Sequence, residues 1–100
     1  VVMCGFGGIF SEVLNDVTFR AAPFGLDEAV RMIGELKGEA VLDGVRGRPG
    51  GDRTALATAL VDLSRFAAAH AADLETCNIN PFVLHPQGGV ALDAVIVGAP

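Results

Sequence analysis

Leu74-Glu75-Thr76-Cys77-Asn78-Ile79-Asn80-Pro81-Phe82-Val83-Leu84, followed after His85-Pro86-Gln87-Gly88-Gly89 by Val90-Ala91-Leu92-Asp93-Ala94-Val95-Ile96-Val97, decides the fold. Two apolar, β-branched runs flank a proline- and glycine-rich break, the pattern of a hairpin. The spacing predicts a strand over 74–84, a turn over 85–89 and a closing strand over 90–97. Along an extended strand side chains alternate faces, so Asn78 and Asn80 share one side. Pairing of the two strands brings Asp93 alongside them.

Upstream of this hairpin the periodicity changes. Asp52 to His70 carries Leu56, Leu60, Leu63 and Ala67 at helical spacing. A second helix is predicted over Asp27 to Lys37 from Ala29, Ile33 and Leu36, with Gly25 or Asp27 as N-cap and Gly38 as the terminating glycine. Ala40 to Leu42 is a short apolar piece between them. Val1 to Cys4 reads as a strand and Gly5-Phe6-Gly7-Gly8 as a turn. Ile9 to Phe19 reads as a longer strand, interrupted near Asn15-Asp16, that pairs back on the first. The order strand, strand, helix, helix, strand, strand predicts an α+β domain, an antiparallel sheet of about four strands with two helices on one face. The other face is left for a ligand or a further domain.

Composition limits what such a domain does. The chain has 100 residues, 51% of them hydrophobic and 19% charged, enough for one core and too apolar for disorder. A formal net charge of -5 argues against a general nucleic-acid or anionic-membrane surface. No apolar run approaches the roughly 20 residues needed to span a bilayer. The apolar start has no basic region before it, so it does not read as a signal peptide. Cys4 and Cys77 lie in apolar segments, where reduced thiols are expected. The chain opens on Val1 in what reads as mid-strand, so residues 1–100 are expected to be one domain of a larger protein, with sequence missing upstream.

Three groups of residues carry candidate chemistry. Asn80 and Asp93 offer oxygen donors without any His or Cys cluster, which suits a hard cation such as magnesium, and magnesium held by one or two protein groups usually shares a phosphate ligand. The simpler local reading makes Asn80 a turn cap before Pro81 and Asp93 an edge carboxylate. Gly7-Gly8 and Glu12 put close backbone approach beside a carboxylate, although no helix follows directly and neither a P-loop nor a dinucleotide fingerprint is present. An ordinary hairpin with a surface Glu explains them as well. Arg46 and Arg48 stand in the glycine-rich loop Asp43–Gly51 ahead of a helix N-terminus, either an anion site or a solvated loop. His70 and His85 have no third partner and read as neither metal ligands nor nucleophiles.

Four ordered strings resemble one family. Gly7-Gly8-Ile9-Phe10-Ser11-Glu12-Val13-Leu14-Asn15-Asp16-Val17 resembles its GGIFVEVLKDV pattern, and Leu42-Asp43-Gly44-Val45-Arg46-Gly47-Arg48-Pro49 its LL-x-G-x-RGRP loop. Asn78-Ile79-Asn80-Pro81 and Ala91-Leu92-Asp93-Ala94 resemble its DINP and V-x-DAR elements. The family is the ADP-forming (NDP-forming) acyl-CoA synthetases, in the C-terminal subdomain of their ATP-grasp domain. The last two strings are also similar to the EINP and LDAK segments of the succinyl-CoA synthetase beta subunit.

The resemblance implies a reaction that interconverts acyl-CoA, ADP and phosphate with carboxylate, CoA and ATP through a phosphohistidine carried elsewhere. It makes Asn80 and Asp93 magnesium ligands, reversing the local balance. It implies that Arg46 and Glu12 act at the phosphate end, and that Gly7, Gly8 and Asn78 line the nucleotide, with ATP or ADP as substrate. Its partners are an N-terminal ATP-grasp lobe and CoA-binding and phosphohistidine domains, in a cytoplasmic enzyme. Oligomeric state stays open, a homodimer included. Asn78 departs from the family, which has Asp or Glu there, and Gly25 stands where a Ser or Thr cap is common. The rival reading is a small α+β regulatory or interaction module that needs no magnesium.

Overall fold

A computed structural model describes residues 1–6, 16–44 and 50–100. Strand β1 (Val2–Gly5) pairs antiparallel with β2 (Val17–Arg20), in the register Cys4↔Thr18. Helix α1 (Leu26–Gly34) follows, then a 3-10 helix (Glu39–Asp43), then α2 (Arg53–Ala69). The chain closes with β3 (Leu74–Ile79), β4 (Phe82–His85), β5 (Gly88–Ala91) and β6 (Ala94–Gly98). The α+β class, the antiparallel pairing and the two helices are those expected from the sequence. The strand predicted over Ile9 to Phe19 falls partly outside the described residues; its described end is β2.

The C-terminal hairpin keeps one register from its tip out to Thr76↔Val97, and shifts only between Thr76 and Leu74. His85 faces Gly88 and Phe82 faces Ala91; Ile79 then faces Ala94, and Cys77 faces Ile96. The predicted strands 74–84 and 90–97 are each divided in two, at Asn80-Pro81 and at Leu92-Asp93. Pro81 has no N–H to give the ladder, so regular pairing lapses there while the two chains stay side by side. Gly88 takes φ 128° next to the tip, a backbone state that favours glycine.

Helix α1 starts at Gly25, as one of the two expected caps, with Asp27 and Glu28 in its first turn where they favour the positive end of the helix dipole. It ends at Gly34, short of the predicted Lys37. Gly38 does not terminate it; it precedes the 3-10 helix, which absorbs Ala40 to Leu42. The reason lies outside the local sequence. The carboxylate of Asp16, itself buried, accepts the backbone N–H groups of Lys37 (2.6 Å) and Gly38 (2.9 Å). These charge-assisted bonds hold the chain in a turn that helical bonding would otherwise use.

The core forms where Val2 and Cys4 of β1 meet Ala29, Met32 and Ile33 of α1, Leu36 just after it, and Ala57, Leu60 and Val61 of α2. Burial pushes the Cys4 thiol above its usual range. On α2 the most buried positions are Ala57, Leu60, Val61 and Ser64, turned slightly from the predicted Leu56-Leu60-Leu63-Ala67 line; Leu56 and Leu63 flank the core half-buried. The small residues Ala57 and Ser64 let α1 approach closely, and Ser64 Oγ both donates to Val61 O (2.8 Å) and accepts from Phe24 N (3.2 Å). Both cysteines are free.

Arg20 fastens β2 to α1 through Glu28 (2.6 Å) and Glu35 (2.6 Å). Arg20 first, and Arg31 second, hold the Glu28 carboxyl below the usual range. A carboxylate lowered on folding contributes stability above its unfolded pKa and loses it as pH falls through the folded one. Tm is therefore expected to decline on acidification through the lower carboxylate range, and to decline less steeply in Glu28→Gln. Equal slopes in pH-dependent thermal melts of the two proteins would count against the pair.

Candidate functional site

Asn80 lies one rung beyond the Ile79↔Ala94 pair. Its N–H donates to the carbonyl of Asp93 (3.1 Å), and Leu92 N–H donates to Pro81 O (3.0 Å). The two residues expected to form a cation site are therefore cross-strand neighbours, fixed by main-chain bonds rather than by side-chain packing. Asn78 precedes Asn80 by two on the same strand and faces Val95. The side chains of Asn78, Asn80 and Asp93 are exposed, so their oxygens are open to a ligand from solution.

Among the described residues no group of three or more His, Cys, Asp and Glu could hold a metal ion. A closed, all-protein metal cage is thus absent from that part of the chain. Two adjacent oxygen donors, one anionic and one neutral, instead fit magnesium, which retains waters and takes phosphate oxygens to complete its shell.

The described residues that flank positions 45–49 are tied to one another. Gly51 N–H donates to Leu42 O (2.7 Å). Arg53 reaches back to both oxygens of Asp43 (3.0 Å each), and to the Glu39 carboxylate (2.9 Å) and carbonyl (3.1 Å). Glu39 first, then Asp43, raise the Arg53 pKa still further, so the guanidinium is a fixed cation. Asp52 caps α2 by accepting from Ala55 N–H (3.0 Å), while its own N–H donates to His85 O (2.8 Å). These flanking residues thereby meet the hairpin near its tip, five residues along the strand from Asn80, or roughly 15 Å. Gly51 makes this contact feasible, because a Cβ there would lie 2.7 Å from Leu84 Cβ. Gly51→Ala is expected to cost about 1–3 kcal/mol through overpacking, read as a lower urea midpoint; an unchanged midpoint would show that the contact yields freely.

Gly7, Gly8, Glu12 and Arg46 lie outside the described residues. The sequence reading missed Asp16 and Arg53. A carboxylate just before a strand, and an arginine just after an N-cap with Glu39 and Asp43 spaced four apart upstream, were the available signals. Neither signal points to its partner, which is 10 to 22 positions away.

Comparison with known proteins bears on what uses this site. A family model described as an ATP-grasp domain matches residues 1–97. The chain belongs to that family. This ATP-grasp chain is 41% identical over 99 residues to an ADP-forming acetate–CoA ligase of Methanocaldococcus jannaschii, covering 97% of the chain and 14% of that protein. It is 36% identical over 96 residues to the beta subunit of ADP-forming acetate–CoA ligase I of Pyrococcus furiosus, covering 96% of the chain and 41% of the subunit.

Solved structures agree. Dinucleotide-forming acetyl-coenzyme A synthetase 1 of Ca. Korarchaeum cryptofilum superposes with a TM-score of 0.92 at 34% identity, over 97% of this chain and 43% of that one. The same synthetase in complex with coenzyme A and Mg-AMPPCP, its phosphohistidine segment pointing towards the nucleotide site, superposes at 0.89. The chain spans less than half the length of each of these relatives. It corresponds to an ATP-grasp portion of ADP-forming acyl-CoA synthetases. No described helix is long and apolar enough to cross a membrane.

Proposed function

We propose that this ATP-grasp chain supplies one side of the nucleotide site of an ADP-forming acyl-CoA ligase, which interconverts acyl-CoA, ADP and phosphate with carboxylate, CoA and ATP. The observation that carries the reading is the main-chain pairing of Asn80 with Asp93. It sets an amide oxygen and a carboxylate side by side on an exposed strand.

Asn80 and Asp93 would hold magnesium. When bound, the ion neutralises charge on the nucleotide phosphates. Asn78, two residues back, offers a neutral group that hydrogen-bonds a phosphate or an ordered water rather than repelling it. Gly7 and Gly8 let backbone N–H groups approach phosphate, and Glu12 and Arg46 act at the phosphate end, Arg46 as a fork for equatorial oxygens. Arg53, by bonding Asp43 and Glu39, restrains the chain just ahead of residue 45. The contribution of these residues is positioning and electrostatics, which is most of what phosphoryl transfer asks of a protein.

The remaining parts of the ligase are an N-terminal ATP-grasp lobe, CoA-binding domains and a phosphohistidine carrier. Without them the 100 residues are expected to form no ATP. A reaction that draws on CoA esters and nucleotides belongs in the cytoplasm. The test is magnesium-dependent ATP formation from acetyl-CoA, ADP and phosphate by the ligase containing this domain, comparing wild type with Asn80→Ala and Asp93→Ala. Undiminished turnover in both variants, or turnover by the 100 residues alone, would defeat the reading.

A further inference from the structure

Charge is scarce on the ribbon that carries Asn80 and Asp93. Over residues 74–81 and 92–98, which make β3, β6 and their junctions with β4 and β5, the carboxylates are Glu75 and Asp93, and there is no lysine or arginine. Glu75 stands at the register shift between Leu74 and Thr76, and strand alternation puts it on the side of Cys77 and Ile79. Asn78 is on the other side, exposed, opposite Val95, with Thr76 opposite Val97 beyond it. Asp93 is two residues from Val95 and so diagonal to Asn78, a backbone separation of roughly 7–8 Å across a strand pair. A polar group at 78 therefore reaches toward a hydrated ion or a phosphate held between Asn80 and Asp93.

The ribbon offers such an ion a single anionic side chain, flanked by two amides. A divalent ion gives up water reluctantly, and its affinity for an oxygen site grows with the number of charged ligands. We propose that Asn78 makes cation binding at the Asn80–Asp93 rung conditional on nucleotide: with an amide at this position, the rung takes a divalent ion together with a nucleoside di- or triphosphate and does not hold the free ion. The phosphates supply the anionic oxygens that the ribbon lacks. The amide N–H also donates to a phosphate oxygen, where a carboxylate would repel it. The inference rests on the reading of Asn80 and Asp93 as the cation ligands, and adds to it one side chain that sets the order of binding.

Equilibrium dialysis of the ligase that contains this domain, against manganese with and without ADP, tests the proposal without turnover. The portion of bound ion that Asp93→Ala removes is the portion held at the rung. In wild type this portion should be small without nucleotide and rise at least tenfold with ADP. Asn78→Asp should hold the free ion roughly tenfold more tightly than wild type, the scale of one further charge within about 5 Å of a dication in water. Asn78→Ser, which adds no charge, should not. Equal free-ion affinity in wild type and Asn78→Asp would overturn the proposal, as would a wild type that holds manganese as firmly without ADP as with it. If Asp93→Ala removes no ion even with ADP, the cation rung itself fails. If Asp93→Ala removes it and Asn78→Asp gains nothing, the rung stands and only the role of Asn78 falls.

Discussion

Asp93→Ala is expected to lower magnesium-dependent ATP formation by the ligase about 100- to 1,000-fold, the scale on which a single electrostatic group at a transition state acts. Asp93 is the one carboxylate of the cross-strand pair, so its loss would remove the only charge that the proposed site offers a dication. Asn80→Ala removes a neutral oxygen and should cost less, about tenfold to 100-fold, as loss of one hydrogen-bonding or ligand group does. Neither side chain is buried, so both variants should fold normally, with melting temperatures within about 2 °C of wild type, as usual for exposed substitutions. Titration with manganese, followed by its electron-spin signal, separates binding from catalysis: both variants should bind the ion more weakly. Normal turnover with normal manganese affinity would remove the cation from this rung.

The largest loss of stability is expected from Met32→Ala. Met32 is fully buried between α1, α2 and β1, and truncating such a side chain typically costs about 2–5 kcal/mol in lost transfer energy and cavity formation. In a domain of this size that corresponds to a fall in Tm of roughly 10 °C or more. Thermal or urea unfolding reads it directly. Val30→Ala, on the exposed side of the same helix, should stay within about 0.5 kcal/mol. If the two variants were equally stable, the core would not lie on the side of α1 that the structure shows.

What was legible in the sequence follows the range of the forces involved. Period-two alternation and a Pro-Gly break gave the C-terminal hairpin, and with it the juxtaposition of Asn80 and Asp93, because a short turn leaves few alternative registers. Helix α2 was legible because 17 residues repeat one apolar pattern. The premature end of α1 was not, because Asp16 sets it across 21 positions by capturing Lys37 N–H. The clamp of Arg53 on Glu39 and Asp43 escaped for the same reason: charged side chains look alike in sequence whether they meet water or one another. The break at Asn80-Pro81 divides the strand expected over 74–84: apolar residues continue on both sides, and only the donor that proline lacks marks it.

Because the Asn80–Asp93 spacing is written in main-chain bonds and a reversal at Pro86-Gln87, length is guarded there more strictly than spelling. Letters at the hairpin tip can drift without disturbing the pair. With the tip kept, deleting one residue of β5 would set Asn80 against Ala94 and turn the carboxylate to the opposite side. Over evolutionary time this segment should therefore accept many substitutions and almost no indels, behaving as a ruler whose markings can be repainted but not moved.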